Sequence, residues 1–469
     1  QNIVLRAPLD MSGGGSAASN RRIPHVDYQA PQGRPKAARE PRLGKRGNSL
    51  TPPHGKGGRA VPSFTKQTDK KAKETKQDKL LRRVRGRRDL VADQMRAASI
   101  YWHYANKAGP GAKLPGRGVT FCGWTQIVEV PTELLRVPDE TGHRAYISGL
   151  QVCGLRWVCP CCTASAAQTD RAYVNDGLAA ARAAGLWPVM ITLTTRHDAT
   201  ESAEEVLAGI IRAEQRLKGV KAWRRFSDRI AGYARVLEWT YGKHGHHPHF
   251  HSIKLVRADT EEEAIQAAYE LQPAYMRQLE AAGRDGTSEA AWRHSFQVQG
   301  AAAAGAYIAK WGSAEELTGA LAKSAGGEGL TPWQLLRLAR TAPDEADRQR
   351  YAAIWWEIVG ATKGKAQLYK SEGWKVLVEA YRQDREAAGE APEPAPEPER
   401  VLGFGMREKG GSPTMAWLDA VPRRLAIREA AEAHESLEQA AIAVGEAIRA
   451  GPTDYELVGG ADDDTELVE

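Results

Sequence analysis

Long apolar runs are missing from this chain of 469 residues. Nothing in it approaches the roughly 18 consecutive apolar residues that a membrane-crossing helix needs, and its opening stretch carries no secretory signal. Cysteine is scarce too: five residues, all between positions 122 and 162. An odd, clustered set in a chain of this length argues against a secreted disulfide framework. It fits a cytoplasmic protein that keeps its thiols reduced and binds zinc. Acidic side chains are thin at the start of the chain. Residues 1–88 hold 22 Lys and Arg against 6 Asp and Glu, a net of +16, whereas the whole chain nets +7. A basic arm on a mildly acidic body points to polyanionic partners, nucleic acid first among them. No internal repeat is present. The chain opens on Gln1 rather than Met, and Met11 stands as a candidate natural start.

The length allows two or three domains. Residues 1–88 read as a basic disordered arm, rich in Gly, Pro, Ser, Lys and Arg without apolar periodicity. From about position 80 to 104 the sequence has helical character, interrupted at Gly86. Arg82, Arg83, Arg85, Arg87 and Arg88 are candidates for lying along DNA phosphates. The plainer reading of the same residues is a solvated basic helix face. Residues 89–185 then read as a helix plus a cysteine zinc module, and 186–325 as the globular core. Residues 326–385 are helical and Trp-rich, and 386–469 comprise a Pro/Glu linker, one amphipathic helix over about 417–449 and an acidic tail.

Within the core the order is strand, helix, strand, strand, helix, strand, with helices expected at about 202–218 and 260–281. A hairpin at its centre predicts an α+β fold: a central antiparallel sheet with flanking helices, preceded by the zinc module and followed by a helical extension.

Cys159-Pro-Cys-Cys162 offers ligands three residues apart, with Cys153 six residues before it and Cys122 thirty-one residues before that. Cys122, Cys153, Cys159 and Cys162 are the expected tetrahedral set for a structural zinc ion, whose binding contributes directly to folding. Cys161 is the spare, because adjacent cysteines seldom both ligate one ion. Buried, unligated cysteines are the alternative.

The stretch from Tyr233 to Val256 reads as two strands around a His- and Gly-rich loop. On the second strand His249 and His251 share a face, with Phe250 on the other. A hairpin brings Glu238 alongside. Two imidazoles and a carboxylate leave positions open on a bound ion, which suits a catalytic metal. A His-rich surface loop is the competing reading. Such a metal can polarise a phosphodiester, and a nearby tyrosine can attack phosphorus to form a covalent phosphotyrosine. Further on, Tyr307 and Lys310 stand three apart on an expected helix, hence on one face.

The chain resembles the rolling-circle replication initiators of small bacterial plasmids, within the HUH endonuclease superfamily. The resemblance rests on Met190-Ile-Thr-Leu-Thr194, on Leu237-Glu-Trp-Thr-Tyr-Gly242 with His247-Pro-His-Phe-His251, and on Tyr307-Ile-Ala-Lys310. The upstream Cys153 to Cys162 segment is similar to that of actinobacterial plasmid members. The likeness spans roughly 118–382. It implies an HUH nuclease-like core over 186–325. It implies Tyr307 as nucleophile, Lys310 as its support, and Glu238, His249 and His251 as ligands of Mg²⁺ or Mn²⁺. Imidazole ligation suits Mn²⁺, and cellular abundance favours Mg²⁺.

The implied activity is a site-specific single-strand endonuclease and ligase that nicks plasmid origin DNA, presented single-stranded in a hairpin. A host helicase and DNA polymerase are then partners, and a second copy of the chain is a candidate one. Ala303 departs from the pattern, because some relatives carry a Glu there to activate water at termination. Two other readings compete: a non-enzymatic zinc-containing DNA-binding regulator, and an HUH transposase.

Overall fold

The computed structural model describes residues 76–140, 142–310, 329–390 and 396–450, with backbone alone over 76–78 and 306–310 and at 450. The expectations for the arm before residue 76 and for the acidic tail lie outside the described residues. The first element is the helix Lys76–Ala108, which runs unbroken through Gly86. The boundary drawn at residue 88 therefore falls inside it. A mid-helix Gly costs about 1 kcal/mol against Ala. Burial of Val91, Ala97, Ile100 and Tyr101 along this helix offsets that cost.

Nine strands follow among the described residues: β1 (Pro131–Asp139), β2 (Gly142–Ser148), β3 (Trp187–Leu193), β4 (Ile230–Gly242), β5 (Gly245–Val256), β6 (Phe296–Gln299), β7 (Gly329–Leu330), β8 (Leu368–Lys370) and β9 (Glu399–Met406). Six of them form one antiparallel sheet in the order β6-β3-β5-β4-β7, with β8 also paired to β4. Its strands alternate between two buried faces. Leu237, Trp239 and Phe250 enter one core with Leu207, Ile210, Tyr275, Trp355 and Ile358 from helices. Val236, Ile253 and Leu255 enter the other with Val174, Leu178, Ala304 and Trp374. The result is the expected mixture of helix and antiparallel sheet, with helices on both sides.

Local chemistry sets the element ends. Ser202 and Glu205 close a capping box on the helix Ala203–Leu217, satisfying two of the amides that a helix start leaves open. The single helix expected at 260–281 is two, Glu261–Tyr269 and Gln272–Ala281. Pro273 in the first turn of the second has no N–H to continue the first.

The remaining strands form a separate sheet, β2-β1-β9. The C-terminal segment thus returns to the start of the globular region. Phe404, Trp417 and Ile427 pack with Leu134 and Ala145. Arg136, 1% exposed, is held by Glu399 and by the carbonyls of His434 and Glu435 at 2.7–2.9 Å. The one amphipathic helix expected there is broken into Met415–Ala420, Arg424–Glu432 and Leu437–Ala450. Pro422 interrupts the first junction. Among the described residues no helix is long and apolar enough to cross a membrane.

Candidate active site

The β4–β5 register sets Glu238 directly opposite His249, and Val236 opposite His251. Side chains two apart share a face of a strand, so Glu238, His249 and His251 project together while Leu237 and Phe250 enter the core behind them. Nε2 of His249 lies 3.0 Å, and Nε2 of His251 3.4 Å, from one carboxylate oxygen of Glu238. The far ring nitrogens are occupied. Nδ1 of His251 meets the Thr192 hydroxyl at 2.9 Å, and Nδ1 of His249 donates to the His247 carbonyl at 3.4 Å. Such outer partners fix the orientation of a metal-binding imidazole, and here they turn both Nε2 atoms toward the carboxylate.

Burial alone would raise the Glu238 carboxyl. Hydrogen bonds and charge from His249 and His251 outweigh it and hold the group well below the usual carboxylate range. The ligand atoms of the three residues lie within 4.8 Å of one another. An ionised carboxylate beside two imidazoles fits a divalent cation with open coordination positions.

The surroundings of this group come from residues with no metal-ligand signature. Thr192, an ordinary strand residue by sequence, sits opposite His251 in the β3–β5 ladder. His197 stacks on His247 with centroids 4.9 Å apart, and His247 lies 5.2 Å from His249. Burial and the neighbouring imidazoles push the His247 pKa down to about 4. The signal lies in the His-rich run up to His251, which His197 joins from the end of β3, since four imidazoles converge.

Tyr307 and Lys310 belong to the helix Ala301–Lys310, and their side chains lie outside the described residues. Ala304 of that helix packs with Val236, Ile253 and Leu255. These residues share their strand face with Glu238, His249 and His251. The helix therefore lies on the face that carries the three candidate ligands, and Tyr307 follows Ala304 by one turn.

The cysteines form a second group. Sγ of Cys122 is 3.4 Å from that of Cys162 and 3.7 Å from that of Cys159, and Cys153 is 3.6 Å from Cys162. A tetrahedron of thiolates about 2.3 Å from zinc has edges of roughly 3.8 Å, so the spacing fits such an ion. Cys159 caps the helix Pro160–Ala183, and Cys162 stands in its first turn. Hydrogen bonds from Cys122, Cys153 and Cys159 hold the Cys162 thiol well below its ordinary range. Cys161 turns away, with Sγ 3.3 Å from Gln94 Oε1, while Gln94 Nε2 donates to the Cys122 carbonyl at 2.5 Å.

Arg83, Arg87 and Arg88 on the first helix meet acids of this chain. Arg83 pairs with Asp139, Arg87 with Glu432 at 2.6 Å and Arg88 with Glu429 at 2.5 Å. These contacts fasten the helix to the β2-β1-β9 lobe and draw on positive charge that a phosphate backbone would otherwise meet. Arg82 and Arg85 are exposed.

Residues 145–263 match the family model described as "Replication protein". That span runs from β2 to the helix after β5 and takes in the Cys159–Cys162 turn, Glu238, His249 and His251. It ends before Tyr307. A neomycin resistance protein from Streptomyces cyanogenus is 29% identical over 140 residues, covering 24% of this chain and 32% of that one. The chain thus spans about a third of the length of the curated relative it matches. No solved structure matches. The family match supports a plasmid replication protein.

Proposed function

We propose that this chain is a rolling-circle replication initiator of the HUH endonuclease superfamily and of the actinobacterial plasmid type. It nicks one strand at a plasmid's double-strand origin and rejoins strands at termination. One observation carries the reading: Glu238, His249 and His251 converge on the sheet face against which the helix of Tyr307 packs.

Mg²⁺ or Mn²⁺ would be held by Glu238, His249 and His251 and, when bound, supplies Lewis-acid polarisation of a phosphodiester oxygen. Thr192 and the His247 carbonyl keep the two imidazoles turned for that task. Tyr307 supplies the nucleophile. A bond forms from its oxygen to phosphorus as the bond from phosphorus to the 3′ oxygen breaks. The phenol gives up a proton and the departing oxygen takes one, leaving a 5′-phosphotyrosine and a free 3′ hydroxyl. One phosphodiester replaces another, so the reverse step joins strands. Lys310, three residues on, offsets negative charge at the transferring group. The 3′ hydroxyl primes synthesis by a host polymerase while a host helicase unwinds ahead. Cys122, Cys153, Cys159 and Cys162 would hold zinc, which when bound would pin the start of the helix Pro160–Ala183, and the basic arm adds non-specific DNA affinity.

The test is cleavage of a labelled single-stranded origin oligonucleotide with Mn²⁺ or Mg²⁺. Wild-type protein cleaves it and Tyr307→Phe does not. Equal rates for the two proteins sink the assignment. The cysteine group also suits a non-enzymatic zinc-containing DNA-binding regulator, and absence of any covalent protein–DNA adduct favours that reading. An HUH transposase would share the chemistry and differ in the DNA it joins.

A further inference from the structure

Two stretches far apart in sequence, 101–118 and 358–371, contain no Asp or Glu. The fold brings them together. Nζ of Lys363 donates to the Lys113 carbonyl at 3.3 Å, across 250 positions of sequence. Lys107, Lys113, Arg117, Lys363 and Lys365 are all exposed there. Trp157, next to the cysteine turn, anchors the second stretch by donating to the Lys365 carbonyl at 3.1 Å.

The helix end that carries Lys107 also carries a set of rings, and the Tyr101 ring lies against Gly116, next to Arg117. Tyr104 stacks on Trp356 with centroids 4.8 Å apart and planes within 5°. Tyr101 meets Trp356 edge-on at 6.4 Å and Trp102 at 5.4 Å. Trp102 is half exposed, at 50% of its surface. Glu357, the acid next to Trp356, is engaged by His246 at 3.0 Å. An indole this open offers a flat aromatic face with a polar edge to a ligand. Lysines alone would suit a duplex backbone as well as a single strand. An exposed ring adds a platform for an unstacked base, which a duplex does not offer.

We infer that this surface binds single-stranded DNA, with phosphates on Lys113, Lys363 and Lys365 and a base on Trp102. The helix carrying Trp356 packs through Trp355 and Ile358 on Leu237, Trp239 and Phe250. It thus covers the sheet face opposite to Glu238, His249 and His251. The strand held here is DNA flanking the cleaved position rather than the scissile phosphate. The inference rests on the proposed nicking function for its biological setting and on the surface alone for its chemistry.

The experiment measures binding of a fluorescent oligothymidine to the full chain by anisotropy over a range of salt. Replacing Lys113, Lys363 and Lys365 together by Gln lowers the slope of log K against log salt by about 2, since each single-strand phosphate contact contributes roughly 0.7. Trp102→Ala weakens binding roughly 5- to 100-fold and leaves the slope alone, and Trp102→Phe recovers most of the loss. Circular dichroism checks that each variant keeps its helix content. An unchanged slope in the triple variant, or unchanged affinity in Trp102→Ala, overturns the inference. So does an equal loss by Trp102→Ala on duplex of the same length. The two readings fail separately. Wild-type protein that never cleaves origin DNA removes the nicking function but not a surface whose slope falls as stated. Wild-type protein that cleaves while the slope holds removes the surface alone.

Discussion

Lys254 on β5 offers a quantitative test of the buried charge in this fold. It is 4% exposed, with its ammonium 3.7 Å from the Tyr233 ring centroid and 5.3 Å from that of Trp223. Burial pulls its pKa down to about 7, against the attraction of Glu214, with Lys218 and Arg235 pushing the same way as burial. The ordinary value is 10.5, and a gap of that size corresponds to about 5 kcal/mol at ~1.36 kcal/mol per pH unit. The sign follows from proton counting. Between pH 7 and 10.5 the unfolded chain holds the proton that the folded chain has lost, so stability rises with pH across that window. Below it, both states carry the charge and folding bears the full cost.

Lys254→Met removes the cost along with a cation–π contact that stabilises by about 1–2 kcal/mol. Glu214 retains Arg235 at 2.5 Å and Lys218 at 3.2 Å. The variant should therefore be more stable than wild type by about 3–4 kcal/mol at pH 6. That advantage shrinks as pH rises through 8 toward 10. Urea midpoints followed by tryptophan fluorescence at three pH values measure it. A difference that stays flat with pH, or a Met variant less stable at pH 6, refutes the reasoning.

Other outcomes follow from the same contacts. Purified full chain should carry one zinc per molecule by elemental analysis. Cys162→Ser should lose it and unfold more readily, whereas Cys161→Ser should keep it; the reverse pattern would show that the wrong neighbour was chosen. His249→Ala should abolish metal-dependent cleavage and leave DNA affinity within about threefold, and unchanged turnover would remove His249 from the ligand set. Arg87→Ala leaves Glu432, 1% exposed at its side chain, with the Ala145 amide at 2.7 Å and with Arg83, at 3.4 Å, in place of a close guanidinium. Breaking a buried pair in this way should cost about 3 kcal/mol and loosen the β2-β1-β9 lobe, seen as faster hydrogen exchange there; unchanged exchange would mean the contact contributes little.

The hairpin was readable because its signal is local. Period-two alternation and a short loop fix which residues share a face, and so Glu238 could be placed beside His249 before any coordinates. The helix Ala203–Leu217 was readable through Ser202 and Glu205. Partners distant in sequence were not. β9 has weak strand character of its own because of Gly403 and Gly405, and its pairing with β1 makes it a strand. Arg83, Arg87 and Arg88 look like a phosphate-binding run until Asp139, Glu429 and Glu432 arrive from elsewhere. Thr192 and Gln94 were invisible as orienting groups, since a hydroxyl or amide acquires that role only from what lies opposite it.

The central claim is that a tyrosine on the helix Ala301–Lys310 attacks a phosphodiester at the Glu238–His249–His251 group. Its most direct test is mass spectrometry of the adduct formed with origin DNA and Mn²⁺. The account predicts a nucleotide remnant on Tyr307, absent when metal is chelated. A remnant on any other residue, or strand cleavage with no adduct at all, contradicts it.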